Sequence, residues 1–128
     1  MVQPVAEAAM VALRQGGESL SIFPQNLIEF WAVATRPLAN NGLGLSVAQA
    51  ELQVNNLKAM FVLLDDRPDI FSAWEGIVSR YQVMGKQAHD ARLVAAMMVH
   101  QVTHLLTFNT GDFKRFAEIT VVSPQDVR

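Results

Sequence analysis

The sequence contains no cysteine, which excludes disulfides, thiolate metal ligands and thiol nucleophiles and agrees with a cytosolic location. It has no long apolar run either: the longest, Leu93 to Val99, falls far short of the roughly 20 residues that cross a bilayer. Met1-Val2-Gln3-Pro4 does not open a charged-then-apolar signal sequence, so a soluble, cytoplasmic chain with no membrane partner is expected. Charge is sparse, at 17% of residues, and a formal net charge of -2 supplies no global pull toward nucleic acid. Any such binding has to rest on local basic residues, on metal ions or on a second subunit. What the chain has in quantity is apolar surface, 51% of 128 residues, enough for one sizeable core and therefore a single domain over 1–128.

Periodicity sets the expected elements. Val5, Ala9 and Leu13 recur at helical spacing before a Gly16-Gly17 stop, Leu20 to Phe23 forms a short apolar strand, and Asn26 to Arg36 returns to helical spacing until Pro37. Asn40 to Leu45 is a glycine-containing loop, and Ser46 with Gln49 has capping-box spacing ahead of a helix through Ala50, Val54 and Leu57. Phe61 to Leu64 suits an edge strand. Ile70, Trp74, Ile77 and Tyr81 form one face of a helix ending near Gly85, and Asp90 to His100 is apolar on nearly all sides, as a helix packed on both faces would be. His104 to Phe108 and Ile119 to Val122 are strands separated by the turn Asn109-Thr110-Gly111 and a short helix near Asp112. Strands alternating with helices predict an α/β fold with a mostly parallel sheet flanked by helices.

In such sheets ligands collect beyond the carboxyl ends of the strands. Glu29 follows the strand Leu20 to Phe23, Asp112 follows His104 to Phe108, and Asp90 opens the helix leading into that second strand. Converging carboxylates repel one another unless a cation is present, and hard oxygen ligands suit Mg²⁺ or Mn²⁺. Such a metal polarises a phosphoryl oxygen and lowers the pKa of bound water. Simpler roles compete: Glu29 near a helix N-terminus suits the macrodipole, and Asp90 and Asp112 stand where N-caps are expected. Thr107 and Asn109 flank the strand end as polar residues. Arg92, with Arg80, Lys86, Lys114 and Arg115, is a possible phosphate contact or a solvated rim. His89, His100 and His104 have no metalloprotease spacing, His100 suits a helix C-terminus, and Met97, Met98, Trp31 and Trp74 lie at core spacing. Gly42 and Gly44 do not form a strand-to-helix phosphate cradle, which leaves little for a dinucleotide.

His89-Asp90-Ala91-Arg92, then Leu105-Leu106-Thr107-Phe108-Asn109-Thr110-Gly111-Asp112-Phe113 and Ile119-Thr120-Val121-Val122-Ser123-Pro124, closely resemble a PIN domain of the VapC toxin type. Asn26-Leu27-Ile28-Glu29-Phe30 matches the family's second acidic segment, and the resemblance runs from about Val5 to Val127. It implies a three-layer PIN-like fold in which Glu29, Asp90 and Asp112 are the catalytic, metal-binding carboxylates, with Thr107 and Asn109 as supporting polar positions. It further implies Mg²⁺- or Mn²⁺-dependent hydrolysis of single-stranded or transfer RNA, by a homodimeric toxin paired with an antitoxin. The family opens with a central strand bearing a further Asp, and nothing before Val5 corresponds to it. The chain is therefore expected to be N-terminally incomplete as a PIN domain. The competing expectation is a catalytically impaired PIN-like protein that pairs with itself or an antitoxin.

Overall fold

The computed structural model describes residues 20–107 and 109–126, and their contacts divide them into two compact units, 20–65 and 66–126. The helix expected over Val5 to Leu13 lies outside the described residues.

In the first unit, strand β1 (Ser21–Ile22) runs into helix α1 (Pro24–Thr35) through Phe23. The helix starts two residues earlier than periodicity predicts, because Pro24 suits a first helical position: its fixed φ is already helical and its missing N–H has no intrahelical partner to lose. The Asn26 side chain accepts the Phe23 N–H at 2.8 Å and completes the entry. Beyond α1 the chain turns back on the helix end, Leu43 N–H donating to the Val33 carbonyl at 3.0 Å and Leu45 N–H to that of Ala34 at 2.8 Å. Helix α2 (Val47–Met60) opens with the expected box: Ser46 Oγ accepts the Gln49 N–H at 3.1 Å and Gln49 Oε1 accepts the Ser46 N–H at 2.8 Å. Strand β2 (Val62–Leu63) then pairs parallel to β1, with Ser21 opposite Val62 and Ile22 opposite Leu63.

In the second unit, helix α3 (Asp69–Arg80) buries Ile70 and Ile77 against helix α4 (Gln87–Val99). A left-handed Gly85, φ 64°, lies in the turn between them. Leu93 through Met97 are all buried, as expected of a run that is apolar on all sides, whereas Met98, also expected in the core, is 37% exposed. His100 follows as the C-cap of α4. Strand β3 (His104–Leu106), the short helix α5 (Thr110–Phe113) and strand β4 (Thr120–Val122) complete the unit, and β4 pairs parallel to β3 with Leu105 opposite Val121. Phe113, Phe116 and Ile119 are buried between the last two elements.

The α/β class thus holds, with one two-stranded parallel sheet in each unit. A parallel pair needs a crossover, and in both units helix supplies it: α1 and α2 between β1 and β2, α5 between β3 and β4. Among the described residues no helix is long and apolar enough to cross a membrane.

Candidate functional site

Asp90 and Asp112 belong to the same unit and share a local setting. Neither is an N-cap: the caps are Lys86 and Asn109, and both carboxylates stand inside the first turn of their helices. Asp90 is placed there because α4 begins at Gln87, the turn being entered through Ala88 N–H to the Gly85 carbonyl at 3.0 Å and His89 N–H to that of Lys86 at 3.1 Å. Asp112 follows a turn in which Thr107 Oγ1 accepts the Asn109 N–H at 3.0 Å and the Asn109 carbonyl accepts the Asp112 N–H at 3.0 Å. Thr107 N–H in turn extends the ladder to the Val122 carbonyl at 3.0 Å. The two polar residues therefore shape the backbone that carries Asp112 out of β3.

One contact ties the two helix openings together. Arg115 Nη1 donates to Gln87 Oε1 at 2.6 Å, and its Nη2 reaches the Tyr81 carbonyl. Asp90 lies three residues after Gln87 and Asp112 three before Arg115. Gln87, at the start of α4, is thereby linked to Arg115, just after α5. Trp74 fixes the same turn from α3, its Nε1 donating to the Ala88 carbonyl at 2.8 Å.

Glu29 belongs to the other unit. It lies in the second turn of α1, later than the first-turn position that the macrodipole favours, and is exposed, its Oε1 accepting from Gln25 Nε2 at 3.0 Å. Among the described residues no three His, Cys, Asp or Glu side chains form a group able to hold a metal ion. The donor chemistry of Asp90 and Asp112 fits a hard cation, and Mg²⁺ commonly takes only one or two protein carboxylates, the rest of its shell being water and substrate phosphate.

The basic residues near these turns are largely engaged. Arg80 pairs with Glu118, Arg115 with Gln87 and the Tyr81 carbonyl, and Arg92 with Asp66 at 3.3 Å. Spacing alone places Tyr81 on the same helix face as Ile70, Trp74 and Ile77. Its hydroxyl in fact donates to Glu118 Oε1, 37 positions away, a partnership that no local pattern encodes. His104 is exposed, with Nδ1 2.8 Å from the neighbouring Thr103 hydroxyl.

No protein-family model matches the sequence, and no curated protein matches it.

Proposed function

We propose that this chain is a PIN-like endoribonuclease of the VapC toxin type, hydrolysing phosphodiester bonds of single-stranded or transfer RNA with Mg²⁺ or Mn²⁺. The observation that supports the reading is the Arg115–Gln87 hydrogen bond, which links the opening of the helix that carries Asp90 to the segment just after the helix that carries Asp112. Asp90 and Asp112 are the site's carboxylates in the 66–126 unit, and Thr107 and Asn109 set the turn that leads to Asp112. The metal's contribution is Lewis-acid polarisation and an acidified water. The three-layer arrangement, a cytoplasmic location, a homodimer and an antitoxin partner belong to the same proposal.

The test is cleavage of single-stranded or transfer RNA by the purified chain with Mn²⁺, against the same reaction in EDTA. Asp90→Asn should abolish it. Cleavage unaffected by that substitution would remove Asp90 from the site.

One observation favours a second reading, a PIN-like interaction protein without catalysis: an apolar surface on the first unit, where Leu27, Ile28, Trp31 and Val54 line a hollow of about 300 Å³ and Ile28 is 68% exposed. Under that reading the chain associates with itself or an antitoxin and cuts no RNA with either metal.

A further inference from the structure

A single guanidinium spans the turn between α3 and α4. Arg115 Nη2 donates to the carbonyl of Tyr81, the C-cap of α3, and Nη1 donates at 2.6 Å to Oε1 of Gln87, the first residue of α4. We propose that Arg115 is a positioning residue: its fork fixes the helix opening that carries Asp90 relative to the one-turn helix that carries Asp112. The proposal rests on the nuclease reading of those two carboxylates and adds what sets their relative placement.

The need for such a support is the first argument. The chain between α3 and α4 holds two left-handed residues, Gln82 at φ 51° and Gly85 at φ 64°, and Lys86 gives α4 no side-chain cap. Helix α5 is one turn long and contains Gly111, so its own hydrogen bonds hold it weakly. Phe113 anchors it by burial, but apolar contact is non-directional and sets the orientation of so short a helix only loosely.

The chemistry of the fork is the second. A guanidinium is planar with donors fixed in direction, so it holds an acceptor on either side of a turn at one separation, which the point charge of a lysine does not do. The Arg115 group also lies 5.8 Å from the centre of the buried Phe116 ring, a seat that limits its swing. Both acceptors, an amide oxygen and a backbone carbonyl, are neutral and leave the charge of Arg115 in place. A contact with phosphate would use that charge and have no need of Gln87, whereas the fork needs both. The two roles are therefore separable.

The experiment follows backbone amide exchange and Mn²⁺ binding in the full 128-residue chain and in Gln87→Ala and Arg115→Lys, each of which keeps the positive charge. The amides to watch are Ala88 and His89 at the opening of α4 and Asp112 in α5, each bonded to the carbonyl three residues before it. Their exchange should quicken by about ten-fold in both variants, the loss of one hydrogen bond to a charged group, while amides of α2 in the other unit stay as they are. Mn²⁺ affinity, measured with the metal alone by electron paramagnetic resonance, should fall by about ten-fold or more in both, the size expected when the support of a ligand is removed. Unchanged exchange overturns the proposal, as does faster exchange with Mn²⁺ affinity intact, which makes the fork structural only. Weaker binding of single-stranded RNA in EDTA by Arg115→Ala, with Gln87→Ala matching wild type throughout, also overturns it, in favour of a phosphate contact. A wild-type chain that binds no Mn²⁺ removes the nuclease reading, and faster exchange in both variants then retains the fork without it.

Discussion

The Tyr81 hydroxyl donates to Glu118 Oε1 at 2.7 Å and accepts the Ala117 N–H at 3.1 Å, so the end of α3 grips the segment between α5 and β4. The ring of Tyr81 meets Phe116 edge-on, 5.1 Å between centroids and 79° between planes. Arg115, between these contacts and Asp112, reaches back to Gln87 and to the Tyr81 carbonyl. The short helix bearing Asp112 has only one turn of its own hydrogen bonds, too few to hold its place, and this clamp supplies what it lacks.

Tyr81→Phe keeps the ring and removes the hydroxyl, leaving Glu118, whose side chain is only 15% exposed, with one partner fewer. A hydrogen bond to a charged, shielded group is worth about 1.5 to 3 kcal/mol. Arg80 also pairs with Glu118, but its own side chain is 67% exposed, and Arg80→Ala should cost no more than about 1 kcal/mol. Urea denaturation of both variants should therefore rank Tyr81→Phe as the more destabilised. The reverse order would make the ion pair, not the phenol, the grip.

Phe116 beneath that network is 1% exposed and among the largest fully buried side chains. Phe116→Ala opens a cavity that the rigid clamp around it fills poorly, so a loss of about 3 to 5 kcal/mol is expected. Thermal denaturation by circular dichroism measures it. A loss below about 1 kcal/mol would mean that this part of the core collapses freely onto the gap.

Gly42 makes a separate prediction in the 20–65 unit. It is buried where the loop turns back on α1, and a Cβ there would overlap the backbone carbonyl of Arg36. Backbone cannot swing aside as a side-chain tip does, so Gly42→Ala should cost about 1 to 3 kcal/mol or more through overpacking. Gly111, with nothing within 4 Å of an added Cβ, is the matched comparison, and Gly111→Ala should be far milder. Comparable losses at both positions would refute a steric origin.

The contrast between Gly42 and Tyr81 also marks how far the sequence was legible. Local rules located the helices, the Ser46–Gln49 box and both short parallel strands of the second unit, because caps, turns and periodicity act within a few residues. Helix starts were less legible. Periodicity starts α1 at Asn26 where Pro24 begins it, and reads Asp90 as the cap of a helix that begins at Gln87, since Lys86 provides no side-chain cap to announce it. Least legible were the long-range links, Tyr81 to Glu118, Arg115 to Gln87 and Trp74 to Ala88, which depend on how helices pack. Those links hold the candidate site, so its residues could be named from sequence while its supports could not.

Asp112 separates chemistry from helix electrostatics. An exposed carboxylate in a first turn stabilises a helix by about 0.3 to 1 kcal/mol through the macrodipole, and that alone would account for an Asp in this place. Asp112→Asn preserves the shape and the backbone N–H bond to the Asn109 carbonyl while removing the charge. If the carboxylate serves RNA hydrolysis, Mn²⁺-dependent cleavage should fall by about a hundred-fold or more while stability moves by under about 0.5 kcal/mol. Asp69, equally exposed in the first turn of α3 and paired with Arg67 at 3.2 Å, is the control. Asp69→Asn should leave cleavage as it was. A stability loss at Asp112 of the dipole's size with cleavage intact would assign that carboxylate to the helix and leave Asp90 without its partner.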